Sequence, residues 1–521
     1  MPAAWHKLNV SRWFLMVVRR DSFSLLMVVL ALLVFRVWFS IVLPMTGDEA
    51  YFVFWGEHSA GGYYDHPPMV GWWLSGLLQL SRSEWVLRLP SLLLPLLLAA
   101  GGWWLVRPHG AERARLAALL VLLQPVNVWN VLITTDTPVI LFSMLSMLAY
   151  VAALRASRTV TAVAWQGVAG ALLGLAFLGK YFAALLGIAY LLHTVLIRRD
   201  ERRWVGFLVL LIAALPAPIY NLWWNSNNCW VNILFNFINR HDGAGLTWKN
   251  PALYLVSLLY LATPWVLLEL LRQRRYIQDA MRRKSDAGAV FWLLLVPLLL
   301  FALMSLWRPI GLHWMVSFMP LFAVLAAMVL PQVSLDRLVK WSAVFAGVHA
   351  LGFVIVLALP LQTWEKTRLY DGIVLTVRSA DLLAKLEPYA GEYLFAMEGY
   401  SPAATLAYNA NRRFAVFGEG SIYARQDDAI TDWREQNGRK VLILSKSEPR
   451  SEDYAAYFRR VEILPFELYG AHYWIVLGQG FNYPVYHDRV LTRIRERFYR
   501  IPSWLPQQGC GFCERYFPED K

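Results

Sequence analysis

Thr46-Gly-Asp-Glu-Ala-Tyr-Phe-Val-Phe-Trp-Gly-Glu-His-Ser-Ala-Gly-Gly-Tyr-Tyr-Asp-His-Pro-Pro68 begins where a long apolar run stops, and it sets acidic pairs and two histidines among aromatics. The pairs that stand out are Asp48-Glu49 and Asp65-His66. Charged groups at the mouth of a membrane span are costly and are kept for a task. Thr46 and Glu49 have the spacing of a capping box, in which each serves the start of a helix, so Asp48 is left free for chemistry. The next stretch, Met69 to Leu80, is apolar but too short to span, and reads as a re-entrant or interfacial helix.

The rest of the chain explains why that loop has a membrane beside it. Its 521 residues are 58% hydrophobic and 16% charged, against about 25% charged in a soluble domain. A mean hydropathy of +0.41 agrees. Eleven apolar runs approach the roughly 20 residues that cross a bilayer: 23–45, 88–106, 116–133, 138–154, 160–178, 182–197, 204–221, 251–271, 288–306, 313–330 and 341–360. Gln124, Pro125 and Asn127 mark a kink in the third. The first run is too long for a cleavable signal peptide and lacks its small-residue cleavage site.

The net charge of +13 does not point to nucleic acid, because the basic residues sit in short clusters between the runs. One alternating set of loops holds 21 Lys and Arg, from Lys7 to Lys340; the other holds five, Arg82, Lys180, Arg240, Lys249 and Arg308, or six with Arg88 at the membrane edge. The positive-inside rule puts the first set in the cytoplasm, the N-terminus inside and everything from about 361 outside. Residues 1–360 are thus expected to form the membrane domain, with a first external loop over 46–87. Residues 361–521 alternate strand-like and helix-like runs (strands near Glu392–Met397, Phe414–Phe417, Lys440–Leu444 and His472–Leu477; helices near Pro402–Asn409 and Gln426–Gln436), as a soluble α/β domain would. The basic stretch His487 to Arg500 is placed on the membrane surface. Three cysteines do not make a disulfide scaffold. Cys510-Gly-Phe-Cys513 is expected to be an incidental tail pair or a small disulfide, with a redox or metal fragment as the alternative.

This orientation, set by Lys and Arg alone, gathers the unusual polar residues on one face: the 46–68 loop, Thr135-Asp136-Thr-Pro138, Gly179-Lys180, Asn239-Arg240-His241-Asp242 and His313-Trp314. One active-site cavity at the outer surface is the inference. Taken singly, Asp136 also suits a helix N-cap, Lys180 a snorkelling side chain and His313-Trp314 an interfacial pair. Arg36, inside the first span, must find a partner or snorkel outward, and is either structural or substrate-facing.

Asp48-Glu49-Ala-Tyr followed by Tyr63-Tyr64-Asp65-His66-Pro67-Pro68 resembles the first external loop of GT-C glycosyltransferases. The similarity is to the protein O-mannosyltransferase-like superfamily, and within it to the lipid A aminoarabinose and galacturonic acid transferases. The same order continues through Thr135-Asp136-Thr-Pro138, Gly174 to Lys180, Asn239-Arg240-His241 and His313-Trp314, then Glu398-Gly-Tyr400-Ser-Pro and Arg425-Gln-Asp427 in the outer domain. This chain departs from the aminoarabinose enzymes in having Asp65-His66-Pro67 where they have Glu-Lys-Pro, and Met315 after His313-Trp314.

The resemblance implies a GT-C fold of about 11 transmembrane helices and an enzyme of the cytoplasmic (inner) membrane. It would move one sugar, with inversion, from a polyprenyl-phosphate donor to a glycan, lipid or protein acceptor. The chemistry needs a base for the acceptor hydroxyl and cations for the departing phosphate. Asp48 is assigned as base and Asp136 as the group orienting the acceptor or a cation. Lys180, Arg240, His66 and His313 are placed at the donor phosphate, and Glu49, Tyr63, Tyr64 and Asp65 at the substrate. Asp65, His66 and His241 can hold a divalent metal. A monomer among membrane lipids is expected. A lipid-linked oligosaccharide polymerase or ligase is the nearest alternative. A transporter is the more distant one, since transporters place charges at the midplane and show repeats.

Overall fold

The computed structural model describes residues 5–241, 245–282 and 285–518. Up to Ala358 the chain is a bundle of helices. Among the described residues, eight helices are long and apolar enough to cross a membrane: Ser24–Val42, Glu84–His109, Asp136–Arg155, Thr159–Phe177, Arg203–Ser226, Asp286–Ser305, Leu312–Val329 and Gln332–Ala358. A ninth candidate is bent by 94° between Lys249–Leu261 and Pro264–Arg272. Leu, Val and Ile side chains such as Val34, Val205, Ile219 and Leu351 stay exposed on these helices, as a lipid-facing surface requires.

The structure differs from the eleven expected runs in three places, each with a local cause. The run 116–133 is broken into Ala111–Leu122 and Pro125–Trp129, because Pro125 has no N–H to continue the ladder and Gln124 turns extended ahead of it. Arg36 answers this break. Fully buried, it donates through both terminal nitrogens to the carbonyls of Asn127 (2.6 Å) and Asn130 (2.9 Å) beside the break, and to that of Ser91 (2.5 Å), four residues before Pro95 in another helix. The run 182–197 is a shorter apolar helical stretch, Tyr181–Ile197. The run 251–271 bends where Thr263, at φ +63°, precedes Pro264.

The first loop contributes the helices Gly47–Glu57 (the loop helix) and Met69–Leu78. Thr46 and Glu49 form the capping box, each accepting from the other's backbone N–H. Glu49 then does more. Its carboxylate takes Arg88 Nε at 2.8 Å and Nη2 at 2.7 Å, with both side chains fully buried. Arg88 also donates to the carbonyls of Ser40, Leu43 and Pro44 at the end of the first span, and Glu49 accepts from Ile133 N. One ion pair therefore fixes where three segments meet.

Beyond Ala358, five strands form one mixed sheet: β1 (Tyr393–Met397), β2 (Ala415–Val416), β3 (Lys440–Ser445), β4 (Phe458–Leu468) and β5 (Ala471–Phe481), in the order β2-β1-β3-β5-β4. β2, β1 and β3 run parallel; β5 and β4 are antiparallel additions. Tyr469 and Gly470, both at positive φ, make the tight β4–β5 hairpin. β4 is the strand missing from the sequence expectation. The Gln426–Gln436 helix is only two short turns, Asp427–Ile430 and Trp433–Gln436. The helix Tyr400–Ala410 (the sheet-domain helix) reaches the loop helix. Between them, a Cβ on Gly47 would lie 1.9 Å from Ser401 Oγ, so glycine is needed there.

Two expectations are corrected at the end of the chain. The stretch from His487 to Arg500 does not lie with its apolar face on a membrane: Val490, Leu491, Ile494 and Phe498 are buried in a cluster with Tyr64, Phe235 and Phe512. Cys510 pairs not with Cys513 but with Cys229, 281 residues earlier, tying the segment after the Pro216–Ser226 helix to the tail.

Candidate active site

A cavity of about 140 Å³ is lined by Asp48, Asp65, His66, Lys180, Arg240 and His313, together with Tyr51, Phe52, Phe235, Trp314, Tyr400, Tyr423 and Ala424. The first six, singled out in the sequence, come from four separate segments. Asp48 sits in the first turn of the loop helix, placed by the capping box, and is exposed to the cavity. Lys180 sits in extended backbone where the helix Thr159–Phe177 gives out at Gly179. Asp136 opens the first turn of the preceding candidate span, Asp136–Arg155, and both its oxygens hold Lys180 Nζ at 3.0 Å. Asp136 and Lys180 thus form a buried ion pair at the edge of the cavity.

Arg240 is held differently. Its guanidinium lies 5.2 Å from the Trp314 ring, 5.7 Å from Phe235 and 5.9 Å from Tyr423. Aromatic faces attract the cation without neutralising it, so its full charge stays available to an anion. His66 is not a second such cation. Burial pushes its imidazole well below the ordinary range, and the charges of Lys180, Arg240 and His313 push it further. At neutral pH it is a neutral ring that can donate or accept. Burial raises the Asp65 carboxyl to about 7; the Asp48 charge adds to this, while Arg240 and Lys180 hold it back. Asp65 Oδ1 and His66 Nδ1 are buried and take no hydrogen bond among the described residues, which leaves both for a ligand.

Three residues placed at the substrate are used elsewhere. Glu49 is locked to Arg88. Tyr63 stacks on Trp55 at 4.3 Å and donates to its carbonyl. Tyr64 is buried against Phe235 and Tyr499, and its N–H donates to Gln426 Oε1. Of the metal candidates, Asp65 and His66 line the cavity together, while the side chain of His241 lies outside the described residues, as does Asp242. Among the described residues no three His, Cys, Asp or Glu side chains gather as metal ligands.

The sheet domain supplies what sequence reasoning missed. Tyr400 Oη donates to Asp48 Oδ1 at 3.0 Å, its ring meets Tyr51 edge-on at 5.5 Å, and Tyr51 Oη accepts from Gln426 N. Tyr423 and Ala424 close the same wall. Tyr400 lies inside a noted motif, but its target is 352 residues away in sequence, and no local pattern encodes that.

Residues 65–224 match the sequence family described as dolichyl-phosphate-mannose-protein mannosyltransferase. The lipid A galacturonosyltransferase RgtD of Rhizobium johnstonii is 31% identical over 188 residues; the match covers 34% of this chain and 38% of that protein's length. The fold is that of ArnT from Cupriavidus metallidurans. The structure bound to undecaprenyl phosphate superposes with a TM-score of 0.60 at 16% identity, covering 87% of this chain and 97% of that one. The apo structure gives 0.59 at 15% identity, covering 90% and 98%. In sequence over residues 65–224 and in fold over most of its length, the chain is thus similar to the GT-C glycosyltransferases of the protein O-mannosyltransferase-like superfamily, as its motifs indicate.

Proposed function

We propose that this protein is an inner-membrane glycosyltransferase that moves a single sugar from a polyprenyl-phosphate donor to an envelope acceptor such as lipid A or another glycan, at the outer face of the membrane. The observation that carries it is the meeting of one exposed carboxylate, Asp48, with two fixed cations, Lys180 and Arg240, in one cavity beside apolar helices.

In this mechanism the donor phosphate lies against Lys180 and Arg240, and its lipid chain runs along the helices. Asp48 accepts the proton of the acceptor hydroxyl as the new bond forms at the anomeric carbon. The bond from that carbon to the phosphate oxygen breaks on the opposite side, and the phosphate keeps the electron pair. Lys180, held in place by Asp136, and Arg240 meet the charge that develops there, and they are already aimed before the reaction begins. His66, as a neutral ring, and Asp65 offer hydrogen-bonding groups to the sugar. The ArnT structure bound to undecaprenyl phosphate supports a lipid-phosphate donor. The Cys229–Cys510 bond supports the outward orientation, because both cysteines fall in segments that the charge pattern places outside, where disulfides persist.

The test is transfer of labelled sugar from a panel of polyprenyl-phosphate sugars in membranes holding the full chain. Label is expected to leave the donor lipid and enter an envelope glycolipid or glycan. Asp48→Asn should lower that rate by roughly 10²–10⁴-fold without loss of folded protein. Turnover near wild type in Asp48→Asn would remove Asp48 as the base.

A further inference from the structure

The stretch from Val231 to His241, which carries Arg240, is fastened to its surroundings by asparagine side chains. Its start is fixed to the tail, where Cys229 N donates to Gly509 O at 3.0 Å beside the Cys229–Cys510 bond. Asn232 Nδ2 then donates to the Tyr63 carbonyl at 3.0 Å, and Asn236 Nδ2 to the Asp65 carbonyl at 3.0 Å. Asn239 Nδ2 donates to the Phe498 carbonyl at 3.1 Å. Two ties thus go to the first external loop and one to the tail. We propose that Asn236, with Asn232, is a positioning residue for donor recognition: it sets the spacing between Asp65-His66 at the sugar and Arg240 at the phosphate, so that the site prefers a sugar-bearing polyprenyl phosphate to the bare lipid phosphate left after transfer. The inference rests on the transferase function proposed above and adds what tells donor from spent carrier.

The spacing of the two partners fits. Asn232 and Asn236 are one helical turn apart and share a face; four residues of helix rise about 6 Å. The carbonyls they meet are two residues apart, and two residues of open chain span up to about 7 Å. Rung therefore meets rung, and a slip of one residue would carry both amides off their carbonyls. The Tyr63 N–H donates to the His66 carbonyl at 3.0 Å, which folds this part of the loop into a turn and fixes the direction of its carbonyls. Asn236 meets the backbone of the residue whose Oδ1 takes no hydrogen bond among the described residues in the catalytic cavity. Arg240 follows at the end of a π-helical turn, Leu234–Ile238. Such a turn brings together residues five apart, and Phe235 lies against the Arg240 guanidinium at 5.7 Å.

Each half of the donor site has its own support. Arg240 keeps its rings of Trp314, Phe235 and Tyr423, and Asp65-His66 keep the turn closed by Tyr63. What the amides supply is the distance between the halves. A ligand that touches both halves feels that distance; one that touches only Lys180 and Arg240 does not. An amide also makes the link without adding a charge beside either half, whereas a carboxylate in its place would face a carbonyl oxygen.

The experiment uses the full chain in nanodiscs, without acceptor, and two probes: the undecaprenyl-phosphate sugar that the transfer panel selects, and undecaprenyl phosphate. Each is read by its displacement of a fluorescent polyprenyl phosphate. Wild type is expected to hold the sugar-bearing probe more tightly. Asn236→Ala should weaken that probe about tenfold, the worth of roughly one hydrogen bond, and leave undecaprenyl phosphate unchanged, which also reports that the variant is folded. Asn236→Gln, which keeps the amide, should recover part of the loss. Asn239→Ala, which cuts only the tie to the tail, should keep the wild-type ratio of the two affinities. The proposal is overturned by equal weakening of both probes in Asn236→Ala, by the same change of ratio in Asn239→Ala, or by wild type binding both probes alike. Arg240→Ala separates the two claims. It should weaken both probes; if it weakens neither, the donor-site reading falls, whereas a loss in Arg240→Ala without one in Asn236→Ala removes only the present inference.

Discussion

Adjacent carboxylates take opposite fates in the first turn of the loop helix. Asp48 faces the cavity, while Glu49 is turned inward against Arg88. Removing one partner of a buried pair strands the other charge, so Arg88→Met is expected to cost about 3–5 kcal/mol. The loss should appear as reduced folded yield and a lower apparent Tm, not as a selective change in KM. Glu49→Gln/Arg88→Met should recover part of it. Asp65 makes a different prediction. Its carboxyl rises to about 7 on folding, so the folded protein holds that proton more tightly than the unfolded chain. The resulting stabilisation is complete below the ordinary carboxylate range and is lost as pH rises towards 7. Asp65→Asn has no such loss. Its apparent Tm relative to wild type should therefore climb between pH 5 and pH 8, and a flat difference would show that Asp65 is charged in the fold. Asp48, Lys180 and Arg240 were legible because isolated charges beside apolar runs need a reason to be there. The fates of Glu49, Tyr63 and Tyr64 were not, because each is decided by a partner distant in sequence or by a stacked ring.

At the scale of elements, length and apolarity found the helices, but breaks decided their shape. Pro125 was readable as a kink; that it ends the helix outright, and that Arg36 from another span fills the gap, depends on packing. β4 escaped because Pro465 and its charged residues blur the alternation, and its pairing with β5 is what fixes it. The contact between the loop helix and the sheet-domain helix matters most for chemistry. In the proposed mechanism Tyr400 acts as a positioning residue for Asp48. Tyr400→Phe is expected to lower kcat by roughly tenfold, the scale of one hydrogen bond to a charged group, with donor KM unchanged. A raised donor KM with intact kcat would instead place Tyr400 against the donor.

For the molecule as a whole, the positive-inside pattern gathered residues from across the chain onto one face, and the cavity joins six of them. What the pattern did not reveal is that the sheet domain completes the site, since its contribution is made by tertiary contact alone. The Cys229–Cys510 bond secures that arrangement from the far end of the chain. Cys229→Ser is expected to lower stability by about 2–4 kcal/mol, measured as a drop in apparent Tm that a reductant reproduces in wild type and does not deepen in the variant. The bond also has a consequence for biogenesis. Its two sulfurs are 281 residues apart, so Cys229 must remain a thiol through synthesis of the later helices and the whole sheet domain. With the outward orientation proposed above, closure therefore marks a finished export event. In cells lacking a thiol oxidase, the protein should insert normally yet accumulate with its tail undocked, open to proteolysis before it has catalysed anything.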